Sequence, residues 1–141
     1  MADSEPWHTL GIGYEQSLKI LSNATRERYL AIRDGVPVGF LVLNMQGPFI
    51  GYVQLVGVAP NARAEGVGRA LIAFAEERIF GVTPNVFICV SDFNHDARRF
   101  YEKLGYSKVG ELKDFLVTGR AEILLRKTIG PIRKSTATAL A

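Results

Sequence analysis

The chain has 141 residues, a formal net charge of +3 and one cysteine, Cys89. This length allows one domain with a proper core and is too short for two. A lone cysteine excludes an internal disulfide and a cysteine-based metal cluster, and it favours a reducing, cytoplasmic setting. We find no signal-peptide pattern and no apolar run long enough to span a membrane, so no membrane partner is expected. The mild, scattered positive charge does not indicate nucleic-acid binding.

The first half of the chain is predicted to form a helix, a hairpin and a central strand. Residues 14–21 have apolar residues at helical spacing. Asp34-Gly35 is a strong two-residue hairpin signal, which predicts paired strands over 28–33 and 36–43. Residues 49–59 are predominantly apolar and rich in valine, which predicts a buried central strand ended by a proline.

The second half alternates helices with strands. An amphipathic helix ending at Phe80 is predicted to turn Leu71, Phe74 and Ala75 inward. The elements predicted after it are a buried, parallel strand over 86–90, a helix opened by Asn94 and stopped by Gly105, strands over 106–117 and 121–127, and a mobile tail over 128–141.

The turn between the central strand and its helix, Arg63-Ala64-Glu65-Gly66-Val67-Gly68, predicts an anion site. Glycines let backbone N–H groups approach a ligand closely, and the first N–H groups of a helix have no internal partner. The helix dipole adds positive charge there, and Arg63 and Arg69 add guanidinium groups. The alternative is a glycine turn that only packs the helix on the strand. Neither a Walker loop nor a dinucleotide fingerprint fits these residues.

Two motifs follow one another along the chain. The first is Arg63-x-x-Gly66-x-Gly68 after a strand that ends at Pro60. In the second, an Asn opens a helix, a Tyr lies on its inner face, and Gly-Tyr closes it; here these are Asn94, Tyr101 and Gly105-Tyr106. These two motifs, in this order, resemble those of the GNAT N-acetyltransferases, and the resemblance spans residues 36–127. It implies an α/β fold with a mixed, mostly antiparallel sheet, a splayed parallel strand pair and flanking helices, as a single domain over residues 1–127.

The resemblance also implies acetyl-CoA as co-substrate and a set of residues that bind it. Backbone groups of Val56 and Val58 would pair with the pantetheine arm, with Gly57 marking the bulge that starts the splay. Backbone N–H groups over residues 64–69 would hold the pyrophosphate, and Asn94 would contact the pantetheine. The complete set of expected cofactor contacts is Val56, Val58, Arg63, Ala64, Glu65, Gly66, Val67, Gly68, Arg69, Asn94, Tyr101 and Lys103.

The implied reaction is direct attack of a primary amine, on a small molecule or a peptide, at the acetyl-CoA carbonyl. Tyr101 would protonate the departing thiolate as general acid. Periodicity alone favours a core aromatic at Tyr101, and the motif favours the acid.

The general base is not named by the sequence. The family often has a Glu on the central strand, or on the strand before the motif's Asn. Here that neighbourhood holds no carboxylate and is occupied by Tyr52, Gln54, Cys89 and Ser91. Glu15, Asp92 and Asp114 are possible substitutes; the alternative is that the amine loses its proton through ordered water near Gln54 or Tyr52.

Two further features leave alternatives open. The missing base and the missing first strand leave open an alternative function, a non-catalytic acyl-CoA-binding module or sensor of the same fold. Only six residues precede Trp7, so the family's first strand looks missing, shortened or supplied by a partner chain. If it is missing, the strand over 28–33 has an exposed edge that a homodimer could cover. The identity of the amine is not encoded in any motif.

Overall fold

A computed structural model describes Lys19 and residues 21–133 of the chain. The predicted helix over 14–21 lies almost entirely outside the described residues, as do Trp7 and Glu15. The described elements are β1 (Glu27–Arg33), β2 (Val36–Asn44), β3 (Tyr52–Val58), a 3₁₀ turn (Pro60–Ala62), α1 (Val67–Phe80), β4 (Asn85–Ser91), α2 (His95–Lys103), β5 (Ser107–Lys113) and β6 (Ala121–Thr128).

The six strands form one sheet in the order β1-β2-β3-β4-β6-β5. Every pair of neighbours is antiparallel except β3 and β4, which are parallel. That pair is joined only through Tyr52 with Phe87 and Val53 with Ile88. Beyond these residues β3 continues beside β2 and β4 continues beside β6, so a gap opens between them. The predicted mixed sheet with a splayed parallel pair is confirmed.

A β-bulge lies where the gap begins, at Gln54. Val42 pairs with Leu55 while Leu43 pairs with Val53, which leaves Gln54 as the extra residue of β3. A bulge increases local twist and bends its strand, which separates β3 from β4. The prediction that Gly57 marks the bulge is therefore wrong.

Gly57 has a different role in β3. It pairs with Phe40, and a Cβ atom at Gly57 would lie 2.3 Å from the Phe40 ring. Because Gly57 has no side chain, the Phe40 ring can lie over it on this face of the sheet.

Both helices contribute to one core cluster with the inner face of the sheet. α1 buries Leu71, Ile72, Ala75 and Ile79. Phe74, predicted to face inward, is instead 45% exposed and packs edge-to-face on Tyr29, with ring centroids 4.7 Å apart. The two isoleucines extend the buried stripe to the side away from Phe74. The inner face predicted for α2 is confirmed at its centre, where Tyr101 is buried.

The hairpin of β5 and β6 differs from its prediction. β5 ends at Lys113, because Asp114 takes a left-handed φ of 53° and its carboxylate accepts the Gly119 N–H at 2.7 Å. Residues 114–120 are therefore a loop, and the predicted strand over 106–117 is wrong in its second part. β6 includes Thr128, so the prediction that the mobile tail begins at this residue is wrong. Residues 134–141 of the predicted tail lie outside the described residues. Among the described residues, neither helix has the length and apolar character needed to cross a bilayer.

Candidate active site

The edge of β3 that borders the gap presents the backbone groups of Val56 and Val58. The Ala59 N–H donates to the Val38 carbonyl at 2.8 Å. In an antiparallel pair the bonded residues alternate, so Leu55, Gly57 and Ala59 bond to β2. Val56 and Val58 therefore direct their N–H and C=O groups into the gap, where no described strand pairs with them. Such an edge accepts an extended chain as an added strand.

The turn before α1 forms a cradle of backbone N–H groups. Ala64 and Gly66 take left-handed φ angles of 64° and 84°. The Ala70 N–H makes the first helical bond, to the Gly66 carbonyl at 3.0 Å. The N–H groups of Val67, Gly68 and Arg69 precede it and have no acceptor within the helix. With the helix dipole, this arrangement favours an anion.

The charged side chains of this turn point in different directions. Arg63 lies back over the end of β3, and its Nε donates to the Val58 carbonyl at 3.4 Å. Glu65 forms an ion pair with Arg33 of β1, which offsets a negative charge beside the predicted phosphate site. Arg69 is exposed in the first turn of α1. Both arginines are therefore placed next to the cradle.

Gly68 is where the cradle meets β3 and α2. A Cβ atom at this position would lie 3.7 Å from Val58 Cγ2 and 3.8 Å from Phe100 Cζ. The glycine therefore lines the cleft between the start of α1 and α2, at the end of the gap.

The two predicted contacts at the ends of α2 are far apart. Asn94 caps the helix, and its Oδ1 accepts the Ala97 N–H at 3.2 Å. The N-cap predicted from the sequence is therefore present. Lys103 is exposed at the last residue of the helix. With a rise of 1.5 Å per residue, the two backbones are about 14 Å apart, so the structure does not bring them together.

Tyr101 lies in the core cluster on the side of the sheet that carries both helices. It is only 6% exposed, and its ring contacts Phe100 and Tyr106 with centroids 5.1 and 5.7 Å away. Burial raises the pKa of the Tyr101 hydroxyl above its ordinary value of 10. The phenol is therefore protonated at neutral pH, as a proton donor must be.

The opposite face of the sheet carries a buried carboxylate, Glu122 of β6. The residue is 6% exposed, and the Ser91 hydroxyl donates to its Oε2 at 2.6 Å. Burial raises the pKa of the Glu122 carboxyl, and the charge of Asp92 adds to that shift. The hydrogen bond from Ser91 opposes it. A role for Glu122 was not predicted from the sequence. The feature that could have indicated one is a single acidic residue in an otherwise apolar stretch, Ala121-Glu122-Ile123-Leu124-Leu125.

The other candidates for a base are held in the hairpin region. Asp92 accepts the Ala121 N–H through Oδ2 at 3.0 Å, and its Oδ1 is 3.8 Å from Arg120. Asp114 is exposed and closes the β5–β6 loop. Cys89 is a free, half-buried thiol whose pKa is raised by burial, which does not suit a nucleophile.

Comparison with known proteins identifies the family. Residues 2–106 match the model of the acetyltransferase (GNAT) family. This range covers more than half of the chain and includes the cradle, the gap and α2. The chain belongs to the GNAT family.

The chain is similar to several members of that family. It is 39% identical over 82 residues to the mycothiol acetyltransferase of Thermomonospora curvata, covering 57% of this chain and 27% of that one. It is 32% identical over 87 residues to the peptidyl-lysine N-acetyltransferase YjaB of Escherichia coli, covering 62% and 47%. The chain thus spans less than half the length of these two relatives.

A solved structure shares the fold. It is an aminoglycoside 6'-N-acetyltransferase complexed with coenzyme A, 20% identical, with a TM-score of 0.66. The match covers 85% of this chain and 81% of that one.

Proposed function

We propose that this protein transfers the acetyl group of acetyl-CoA to a primary amine. The observation that carries the proposal is the gap between β3 and β4, bordered by the backbone of Val56 and Val58. Gly68 lies beside Val58 at the end of the gap, and Tyr101 shares the core cluster with Val53 and Ile88, the last joined pair of β3 and β4. Family membership and a neighbour complexed with coenzyme A support the same cofactor.

In this proposal the pantetheine arm of acetyl-CoA binds like an added strand, and its pyrophosphate binds as an anion. The pantetheine amides pair with the backbone of Val56 and Val58, and Asn94 contacts the arm from the start of α2. The pyrophosphate accepts hydrogen bonds from backbone N–H groups of the turn over residues 64–69, and Arg63 and Arg69 supply positive charge. Lys103, at the far end of α2, would contact a more distant part of the cofactor.

The chemistry follows from these positions. The neutral amine attacks the thioester carbonyl, so a C–N bond forms and the C–S bond breaks. Backbone N–H groups at the gap stabilise the negative charge that develops on the carbonyl oxygen. Tyr101 gives its proton to the departing sulfur as general acid. A hydroxyl kept protonated by burial suits that task.

The acceptor is proposed as a primary amine on a small molecule or a peptide. One relative is named for peptidyl-lysine, and another is an aminoalkylphosphonate N-acetyltransferase of Salmonella typhimurium. A single domain over residues 1–127, a cytoplasmic setting and a homodimer remain predictions. β1 forms one edge of the described sheet, where a second chain could pair.

The test is acetyl-CoA-dependent release of thiol against a panel of amines. The panel holds amino acids, polyamines, aminoglycosides, and peptides with free N-termini or lysines. We expect turnover with one class, and acetyl-CoA to raise the melting temperature, because it binds the native state. S-acetylpantetheine, which lacks the pyrophosphate together with the whole nucleotide, is the ligand control and should stabilise less. Stabilisation without consumption of any amine would instead favour the non-catalytic acyl-CoA-binding module.

A further inference from the structure

A polar cluster lies on the face of the sheet opposite Tyr101. Ile88 and Val90 of β4 and Ile123 of β6 belong to the core cluster with Tyr101. Side chains alternate along a strand, so Cys89, Ser91 and Glu122 point to the other face. Ser91 and Glu122 are paired residues of β4 and β6, and their side chains are hydrogen bonded.

The cluster lies beside the start of the gap. The last joined pair of β3 and β4 is Val53 with Ile88, so Cys89 and Ser91 follow directly where the strands part. Tyr52 is the β3 residue before that point, and its pKa is raised by burial, by Cys89 and by the charge of Glu122. An amine that approached the gap from this face would lie beside the cluster, on the side of the sheet opposite Tyr101.

We propose that Glu122 is the general base that takes the proton from the acceptor amine. This inference rests on the proposed function and supplies the base that the family's usual positions lack. Glu122 lies beyond residues 2–106, the range matched by the family model. Its role therefore comes from the sheet's register and not from the family comparison.

The proton balance of the reaction is then complete. As the amine nitrogen bonds to the acetyl carbon, one of its protons moves to the Glu122 carboxylate. The thiolate takes the proton of Tyr101 from the opposite face. Solvent returns a proton to Tyr101 and removes one from Glu122, so an amine and a thioester become an amide and a thiol.

The surroundings of Glu122 favour proton uptake more than those of an exposed glutamate, as suits a base. Burial and the Asp92 charge stabilise its protonated form, while one hydrogen bond from Ser91 leaves further lone pairs on the carboxylate for the amine. The groups that face it are the Cys89 thiol, the Ser91 hydroxyl and the Asp92 carboxylate beside β4, the Tyr52 phenol of β3, and the apolar Leu112 paired with it on β5.

The test compares pH profiles of kcat/KM for wild type and Glu122→Gln, using the amine found in the panel. We expect the substitution to lower kcat/KM by about 10²- to 10⁴-fold and to remove the acid limb set by this carboxyl. Stabilisation by acetyl-CoA should be unchanged, which shows an intact fold and cofactor site. Glu111→Gln is the matched control, because Glu111 is an exposed β5 carboxylate paired with Lys108; it should behave as wild type.

Ser91→Ala gives a second readout that does not remove the carboxylate. The Ser91 hydrogen bond lowers the pKa of Glu122, so losing it should move the acid limb to higher pH. A wild-type profile in Glu122→Gln, or an unmoved limb in Ser91→Ala, would overturn the inference while leaving the proposed function standing. Absence of turnover by the wild-type protein with every amine would overturn both.

Discussion

Replacing Gly68 with alanine should weaken binding of acetyl-CoA at the proposed site without destabilising the fold. The added Cβ would lie 3.7 Å from Val58 Cγ2 and 3.8 Å from Phe100 Cζ, which are ordinary van der Waals distances. The residue is the second of α1, where alanine is the better helix former. We expect the free energy of unfolding to stay constant or to rise by up to about 1 kcal/mol.

Binding of acetyl-CoA should respond in the opposite way. The new methyl group would occupy the cleft between the start of α1 and α2, beside the N–H groups proposed to hold the pyrophosphate. Loss of one charge-assisted hydrogen bond costs about 1.5–3 kcal/mol, or a rise in Kd of about 10- to 150-fold.

The assay pairs urea unfolding with calorimetric titration of acetyl-CoA. Gly81→Ala is the matched control at the other end of α1, because its Cβ would contact only carbonyl oxygens of its own helix, at 3.5 and 3.6 Å. A Gly68→Ala protein that binds acetyl-CoA as tightly as Gly81→Ala would refute the placement of the cofactor in this cleft.

Substitutions at three further positions test the proposed acid, the cap of α2 and the junction of the two parallel strands. Tyr101→Phe should lower kcat by about 10²- to 10⁴-fold with acetyl-CoA binding retained, and unchanged turnover would exclude the acid role. Because burial raises its pKa above 10, Tyr101 should cause no fall in wild-type kcat as pH rises to 9. Asn94→Ala should cost about 1 kcal/mol of unfolding free energy in urea, and Asn94→Asp should restore the cap; equal stabilities would argue against capping. Gly51→Ala should destabilise the protein more than Asn94→Ala, since Gly51 has a φ of 91° and a Cβ there would lie 2.5 Å from the Asn85 carbonyl oxygen; a smaller loss would contradict the strain.

Local signals predicted most of the elements. Asp34-Gly35 fixed the first hairpin, and both residues take positive φ as such a turn requires, at 51° and 76°. Asn94 marked the start of α2 because an N-cap depends only on its own turn. The exposure of Phe74 could not be predicted, because the face of α1 that becomes buried depends on how the helix packs against the sheet.

Features that depend on pairing between distant residues were not predicted. The contact of Ser91 with Glu122 requires β4 to lie beside β6 in one register, and these residues are 31 positions apart. A glycine was expected at the bulge, but Gln54 occupies it, because cross-strand register sets the position of the extra residue. The sequence alone therefore does not distinguish Glu122 from the other acidic residues, because its contact with Ser91 depends on the pairing of β4 with β6.

The bulge at Gln54 also determines which residues of β3 direct their backbone groups into the gap. Before it, the Gly51 carbonyl accepts the Phe87 N–H at 2.9 Å, so the odd-numbered residues of this stretch face β4. After it, Leu55 and Gly57 bond to β2, and the even-numbered Val56 and Val58 face the gap instead. The extra residue thus lies where the pairing of β3 with β4 ends, and it changes which residues of β3 direct their amide groups into the gap. The motifs in the turn and in α2 contain the anion cradle and the proposed acid, but the gap between β3 and β4 depends on how β3 pairs with β2.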